Sequence, residues 1–86
     1  MRVLIPQPLR SYTGDADQVE ADGTTLDALL RDLDRRYPGI RFRMIDEQDD
    51  MRPHIIFFVA GNRTRDLNAS LEDCREVVIL HALSGG

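Results

Sequence analysis

The side chains that could carry out chemistry are few. The chain's candidates for nucleophilic or metal-binding roles are Cys74, His54 and His81. Zinc sites use four protein ligands, or three and a water molecule, so these residues are too few and too scattered along the chain for a metal centre. Cys74 has no histidine and acid around it that would indicate a catalytic group. We interpret it as a surface or turn cysteine and predict no metal site.

The C-terminus offers a different kind of reactive group. The chain ends Ala82-Leu83-Ser84-Gly85-Gly86, and a terminal carboxyl, with an intrinsic pKa of about 3.3–3.7, is ionised at neutral pH. Because glycine has no Cβ, Gly85 and Gly86 can enter a narrow channel with whatever φ it requires. Two terminal glycines are a weak signal alone, since frayed chain ends also favour small residues. A disordered stub or an expression boundary is the alternative.

Composition restricts the class of protein. The 86 residues are enough for one domain, and 42% hydrophobic with 30% charged residues fits a globular chain. A net charge of −4 without a basic run argues against a nucleic-acid partner. No apolar run approaches the ~20 residues of a membrane helix. A single cysteine agrees with a reducing compartment, so we expect a cytoplasmic protein without a membrane partner.

The first half of the chain predicts a β-hairpin followed by a helix. Alternating apolar residues predict strands near Val3–Ile5 and over Gln18–Ala21, with a turn at Ser11–Asp15. The period then changes, and we predict a helix over Thr24–Tyr37 with Thr24 as its N-cap. The residues at helical spacing are Leu26, Leu29, Leu30, Leu33 and Tyr37.

The second half predicts three more strands. A short helix is expected at residues 40–45, before a solvated acidic loop at 46–50 that lacks the glycine and ligand pattern of a calcium site. Apolar runs then predict strands at His54–Ala60 and Glu76–His81, with a turn at Gly61-Asn62 and a brief edge strand at Thr64–Leu67 between them.

This order of elements predicts an α+β fold. Two strands, a helix and three further strands give a mixed four- to five-stranded sheet with the helix packed on one face. The first and last strands would lie parallel and adjacent in the middle, which is the β-grasp arrangement of ubiquitin. We therefore expect a β-grasp domain at residues 1–81 and an extended tail at residues 82–86.

Three segments of the sequence are informative together: Arg35–Ile40, Phe58–Asn62 and Glu76–Gly86. In these segments, and over nearly its whole length, the sequence resembles the bacterial ubiquitin-like sulfur carriers. These include the small subunit of molybdopterin synthase, the thiazole-synthesis carrier and a cysteine-pathway carrier, to which residues 5–14 look closest. Two departures from the family are a missing glycine at Asp73-Cys74-Arg75 and His81 in place of a common proline.

The resemblance implies a carrier rather than an enzyme. An E1-like enzyme holding ATP and magnesium would adenylate the Gly86 carboxylate, with Gly85 beside it. A sulfur donor would convert it to a thiocarboxylate for an acceptor synthase, and the chain would bind no cofactor itself. The pathway stays open among cysteine, molybdopterin, thiazole and siderophore-type sulfur transfer. Two alternatives are a modifier joined through Gly86 to lysines of other proteins and an interaction domain with an inert tail.

The sheet also predicts a docking surface for partners. If the helix covers one face, alternation leaves a second apolar set on the other face. A slip of one residue in the strand phase would exchange the two sets. The charged loop 46–50 or the segment 68–75 could instead cover this surface. The predicted docking residues are Ile56, Phe58, Val78 and Leu80, with His81 and Leu83 beside them.

Overall fold

The structure, a computed structural model, describes residues 1–82. One helix, α1 (Leu26–Arg36), lies against a five-stranded sheet in the order β2-β1-β5-β3-β4. β1 and β5 are parallel, and the other neighbours are antiparallel, which confirms the predicted β-grasp fold. Within the described residues no helix is long and apolar enough to cross a bilayer. The strands are β1 (Arg2–Leu4), β2 (Gln18–Glu20), β3 (Ile55–Val59), β4 (Asn62–Thr64) and β5 (Glu76–His81).

α1 begins one residue later than predicted. Thr25, not Thr24, is the N-cap, because its extended backbone places the hydroxyl to accept from the Ala28 N–H at 3.2 Å. The Thr24 carbonyl instead accepts from the Leu71 N–H at 2.9 Å. The start of α1 is thereby tied to the segment that precedes β5.

The predicted phase of the sheet is confirmed. One residue in two along β1, β3 and β5 points toward α1 and is buried, and the four leucines of α1 are fully buried against them. This alternation builds one continuous core across the sheet. The core includes Val3, Ile5, Ile55, Phe57, Val59, Val77, Ile79, Leu26, Leu29, Leu30 and Leu33.

The connection from β1 to β2 is longer than a simple turn. A 3-10 helix over Gln7–Tyr12 fills it, with Pro6 in an extended conformation before it. Leu9 is 2% exposed and anchors this helix in the core. The predicted second helix at residues 40–45 is likewise a short 3-10 helix, Arg41–Arg43.

The β3–β4 hairpin is tighter than the sequence suggested. Ala60 and Gly61 both have positive φ, 51° and 79°, and form a two-residue turn that pairs Val59 directly with Asn62. The prediction of an edge strand at Thr64–Leu67 was therefore wrong by about two residues, and Asn62 belongs to β4 rather than to the turn.

Asp73 supplies the conformation for which glycine was expected before the last strand. Its φ is 63°, in the left-handed region that aspartate tolerates better than most residues. The turn without glycine therefore still leads the chain into β5.

Asp32 fastens α1 to the end of β2. Its carboxylate accepts from the Asp22 backbone N–H at 2.8 Å and from the Arg36 Nε at 2.9 Å, and it also pairs with Arg35. The Asp22 N–H first, and then Arg35, lower the pKa of Asp32 to about 2. The folded state thus favours the ionised carboxylate.

We expect Leu30→Ala to cost about 2–5 kcal/mol of unfolding free energy, because the side chain is fully buried and its loss leaves a cavity. Chemical denaturation measures this loss. Arg31→Ala, a substitution at an exposed position one residue away, should cost much less. Equal losses in the two variants would show that the helix does not bury this leucine.

We expect Asp32→Asn to lower the melting temperature near pH 6. Since the folded pKa of Asp32 lies below the ordinary value of 3.8, its stabilisation is full above 3.8 and is lost as the pH falls through about 2. The difference from the unmodified chain should therefore shrink between pH 4 and pH 2 in thermal melts. Asp17→Asn is the control, because that side chain makes no hydrogen bond with residues 1–82. A difference that is constant with pH would contradict the charge-based account.

Candidate functional site: the outer sheet face and the start of the tail

The described part of the chain ends beside the central strand pair of the sheet. β5 ends at His81, and the Ala82 N–H donates to the His54 carbonyl at 2.7 Å, one step beyond the last strand pair. The described chain is therefore anchored up to Ala82. Leu83, Gly85 and Gly86, which the sequence analysis assigned to docking and to activation, lie outside the described residues.

The predicted docking side chains form a compact patch on the face away from α1. Ile56 pairs with Leu80, and Phe58 pairs with Val78, across β3 and β5. Directly paired residues project from the same face, so the four side chains form two adjacent rows. Ile56, Phe58 and Val78 are half-buried, and Leu80 is 43% exposed. We call these four residues the outer apolar patch.

A groove of about 560 Å³ extends the outer apolar patch toward the tail. One wall is the Pro6-Gln7-Pro8 segment, which Leu9 holds in place through the core. The other wall is Ile56 and Leu80, and the groove reaches His81 and Ala82. Sequence reasoning missed this wall. The two prolines around Gln7 were the available signal, because proline fixes φ and stiffens a segment.

Neither the acidic loop at residues 46–50 nor the segment 68–75 covers the outer apolar patch with polar groups. The Asp46 carboxylate accepts from the backbone N–H groups of Asp50 and Gln48, which lowers its pKa and closes the acidic loop on itself. In the segment 68–75, Leu71 is buried in the core. Residues 73–75 border the patch only at its far end, in a cavity with Phe58 and Val78.

His81 and His54 are brought together, although their separation in sequence suggested otherwise. The two rings lie 4.5 Å apart because His81 pairs with Ile55, the residue after His54. His81 is thus shared between the groove and the histidine pair, and its Nδ1 is buried without a hydrogen-bond partner among residues 1–82. Burial first, then the His81 charge, lowers the pKa of His54.

Neither the histidines nor the cysteine forms a metal centre with other ligands in the described part. No group of three potential ligands occurs among residues 1–82. The Cys74 S–H donates to the Glu76 carbonyl at 3.1 Å, before the start of β5 and thus at the opposite end of that strand from His81. The interpretation of Cys74 as a turn residue fits this position.

Comparison with known proteins agrees with the geometry. The ThiS family model matches residues 3–86. The sulfur carrier protein CysO of Mycobacterium tuberculosis is 35% identical over 89 aligned positions, covering 98% of this chain and 96% of that protein.

Two solved structures extend the likeness to the backbone. A chain in the crystal structure of the Amycolatopsis orientalis BexX/CysO complex matches with a TM-score of 0.89 and 33% identity, covering 99% of this chain and 98% of that one. The crystal structure of M. tuberculosis CysO matches with a TM-score of 0.87 and 32% identity, covering 95% and 98%. The chain therefore belongs to the ThiS family and is a β-grasp, ubiquitin-like relative of the CysO sulfur carriers.

Proposed function

We propose that this protein carries sulfur as a thiocarboxylate on Gly86. The match to the ThiS family, which runs through residue 86, carries the proposal together with the similarity to the sulfur carrier CysO. An E1-like enzyme would join the Gly86 carboxylate to AMP with release of pyrophosphate from ATP. A sulfur donor would then displace AMP, and an acceptor synthase would take the sulfur. Among the possible pathways, the likeness to CysO favours cysteine synthesis.

The geometry at the end of β5 supports this role. Since Ala82 is hydrogen-bonded to His54, only residues 83–86 are available to reach a partner's active site. Four extended residues span at most about 13–14 Å. A partner must therefore sit directly against the end of the sheet before it can act on Gly86. The outer apolar patch and its groove lie at that end and offer such a contact.

The chain's own side chains support a role as cosubstrate rather than catalyst. Adenylation needs no catalytic residue from the carrier, because ATP and magnesium are bound by the activating enzyme. The carrier supplies the ionised carboxylate and the surface that positions it. We infer a cytoplasmic protein, because the proposed adenylation consumes ATP.

We expect Leu80→Asp and Phe58→Asp to weaken binding of the host's E1-like adenylating enzyme. A carboxylate in the centre of an apolar contact must be desolvated, and truncating a central anchor typically costs more than ~2 kcal/mol. Isothermal titration calorimetry measures the affinity, and thermal melts show whether each variant is folded. Leu80 is the more exposed of the two, so its substitution separates binding from folding more cleanly.

Ala28→Asp is the matched control for these substitutions. It adds the same charge in the first turn of α1, on the other side of the sheet, where negative charge is favourable. A folded Leu80→Asp variant that binds as tightly as Ala28→Asp would exclude the outer apolar patch from the contact.

Deleting Gly86 should abolish adenylation, and so should adding one glycine after it. Either change moves the carboxylate by one residue, about 3.3–3.6 Å, which exceeds the tolerance of in-line attack on phosphorus. Gly85→Ile should have the same effect, because a branched side chain cannot enter a narrow channel. ATP–pyrophosphate exchange with the adenylating enzyme measures the reaction, and melts should change little.

Normal exchange by the Gly86 deletion would refute both the carrier and the modifier. Intact-mass measurement of the protein from its own cells provides the second test and verifies that Gly86 is terminal. A mass gain of one oxygen-to-sulfur replacement supports the carrier. Adducts on lysines of other proteins support the modifier, and an unmodified terminus supports an interaction domain.

A further inference from the structure

A second cavity at the tail end of the sheet is lined by basic groups. It encloses about 290 Å³ and lies between the 3-10 helix of residues 7–12, the 3-10 helix of residues 41–43 and the ends of β3 and β5. Among residues 1–82, no acidic residue lines it. The basic residues around it are Arg43, Arg52, His54 and His81, and we call the cavity the basic pocket.

Arg52 is held in place at this pocket. Its Nε donates to the Phe42 carbonyl at 2.7 Å, and its guanidinium carbon lies 4.7 Å from the centroid of the Phe42 ring. Both contacts fix the plane of the guanidinium. Its terminal amino groups make no hydrogen bond or ion pair with residues 1–82. They are therefore oriented in advance to donate to a ligand.

Arg43 has no compensating charge either. Its side chain makes no hydrogen bond or ion pair with residues 1–82, whereas the side chains of Arg31 and Arg41 are paired with Asp27. In a chain of net charge −4, this local excess of positive charge stands out.

The groups that lower the pKa of His54 indicate the sign of the electrostatic potential in the basic pocket. Burial contributes most to the lowered pKa of His54, and His81, Arg52 and Arg43 follow in that order. Asp46 interacts with the charge of Arg52, but its carboxylate is already engaged by the N–H groups of Asp50 and Gln48 in its own loop. The pocket thus carries a positive potential that the described residues leave uncompensated.

We propose that the basic pocket binds a carboxylate side chain of the protein that docks on the outer apolar patch. The inference rests on the proposed function, because it assumes that an activating partner covers this end of the sheet. The pocket and the apolar groove share Pro8 and His81, so one partner surface can fill both. Guanidinium groups bind carboxylates through paired, charge-assisted hydrogen bonds.

Charge complementarity favours an acidic group of the partner over other occupants. Acids outnumber basic residues in the chain as a whole, 15 to 11, whereas the charged side chains of residues 1–82 that line the basic pocket are all basic. An acid of a partner that sits on the outer apolar patch is attracted into the pocket, which sets the apolar contact in one register. That register directs residues 83–86 toward a single active site on the partner.

Charge reversal at Arg43 tests the proposal. We expect Arg43→Glu to weaken binding of the host's E1-like adenylating enzyme by about tenfold or more at low salt, and by less at high salt. Arg43→Lys should retain most of the affinity because it keeps the charge. Arg31→Glu makes the same change of charge on α1, away from the pocket, and should stay within about twofold. Equal affinities for Arg43→Glu and Arg31→Glu, with both variants folded, would overturn the proposal.

A second experiment needs no partner. Sodium acetate and sodium phosphate are titrated into the isotopically labelled chain, against sodium chloride at equal ionic strength, while NMR follows the rings of His54 and His81. We expect acetate to shift both rings saturably and to raise the pKa of His54, so that binding tightens as the pH falls. Arg43→Glu should abolish these shifts.

The two experiments separate the possible failures. If the unmodified chain does not bind the adenylating enzyme but does bind acetate, the proposed function is refuted and the anion site is retained. Shifts with phosphate and none with acetate would assign the pocket to small inorganic oxyanions and overturn the carboxylate assignment. No shift with either anion would refute the pocket as an anion site.

Discussion

The pairing of β5 between β1 and β3 is the constraint on which the rest of the structure depends. Val77 and Ile79 pack against α1 from the centre of the sheet, while Val78 and Leu80 necessarily project to the other side. One strand thus fixes both the core and the outer apolar patch. Because β5 ends at His81 and Ala82 is still hydrogen-bonded to His54, the packing of the core also fixes the position of Ala82.

The elements predicted best from sequence are those in which periodicity and burial agree. β5 was predicted to the residue, and the phase of β3 and the face of α1 follow from unbroken alternation or helical spacing. The N-cap was misplaced because Thr24 and Thr25 are chemically equivalent, and only the backbone angle at Thr25 decides between them. The position of β4 was missed because Ala60 adopts a positive φ that its residue type does not suggest.

The candidate site was predictable only in part, for a physical reason. The outer apolar patch lies on two strands, whose alternation is visible in the sequence. The basic pocket instead joins a 3-10 helix at residues 41–43, the segment before β3 and the end of β5. Those segments share no periodicity in the sequence, and they become neighbours only once the whole sheet has formed. For the same reason His54 and His81 looked scattered in sequence but touch in the fold.

The two surfaces at the tail end of the sheet contribute different things to recognition. An apolar patch supplies most of the binding free energy but tolerates many related partners, because burial of hydrocarbon has little directionality. A fixed guanidinium such as that of Arg52 requires a matching acceptor at a defined place, and its absence leaves a buried charge unpaired. Under the proposed function this division is useful, since a partner docked in the wrong register could not receive Gly86. The selectivity of such a carrier among similar partners would then reside in the few polar groups around His81, while the shared fold and the terminal glycines supply the chemistry common to all of them.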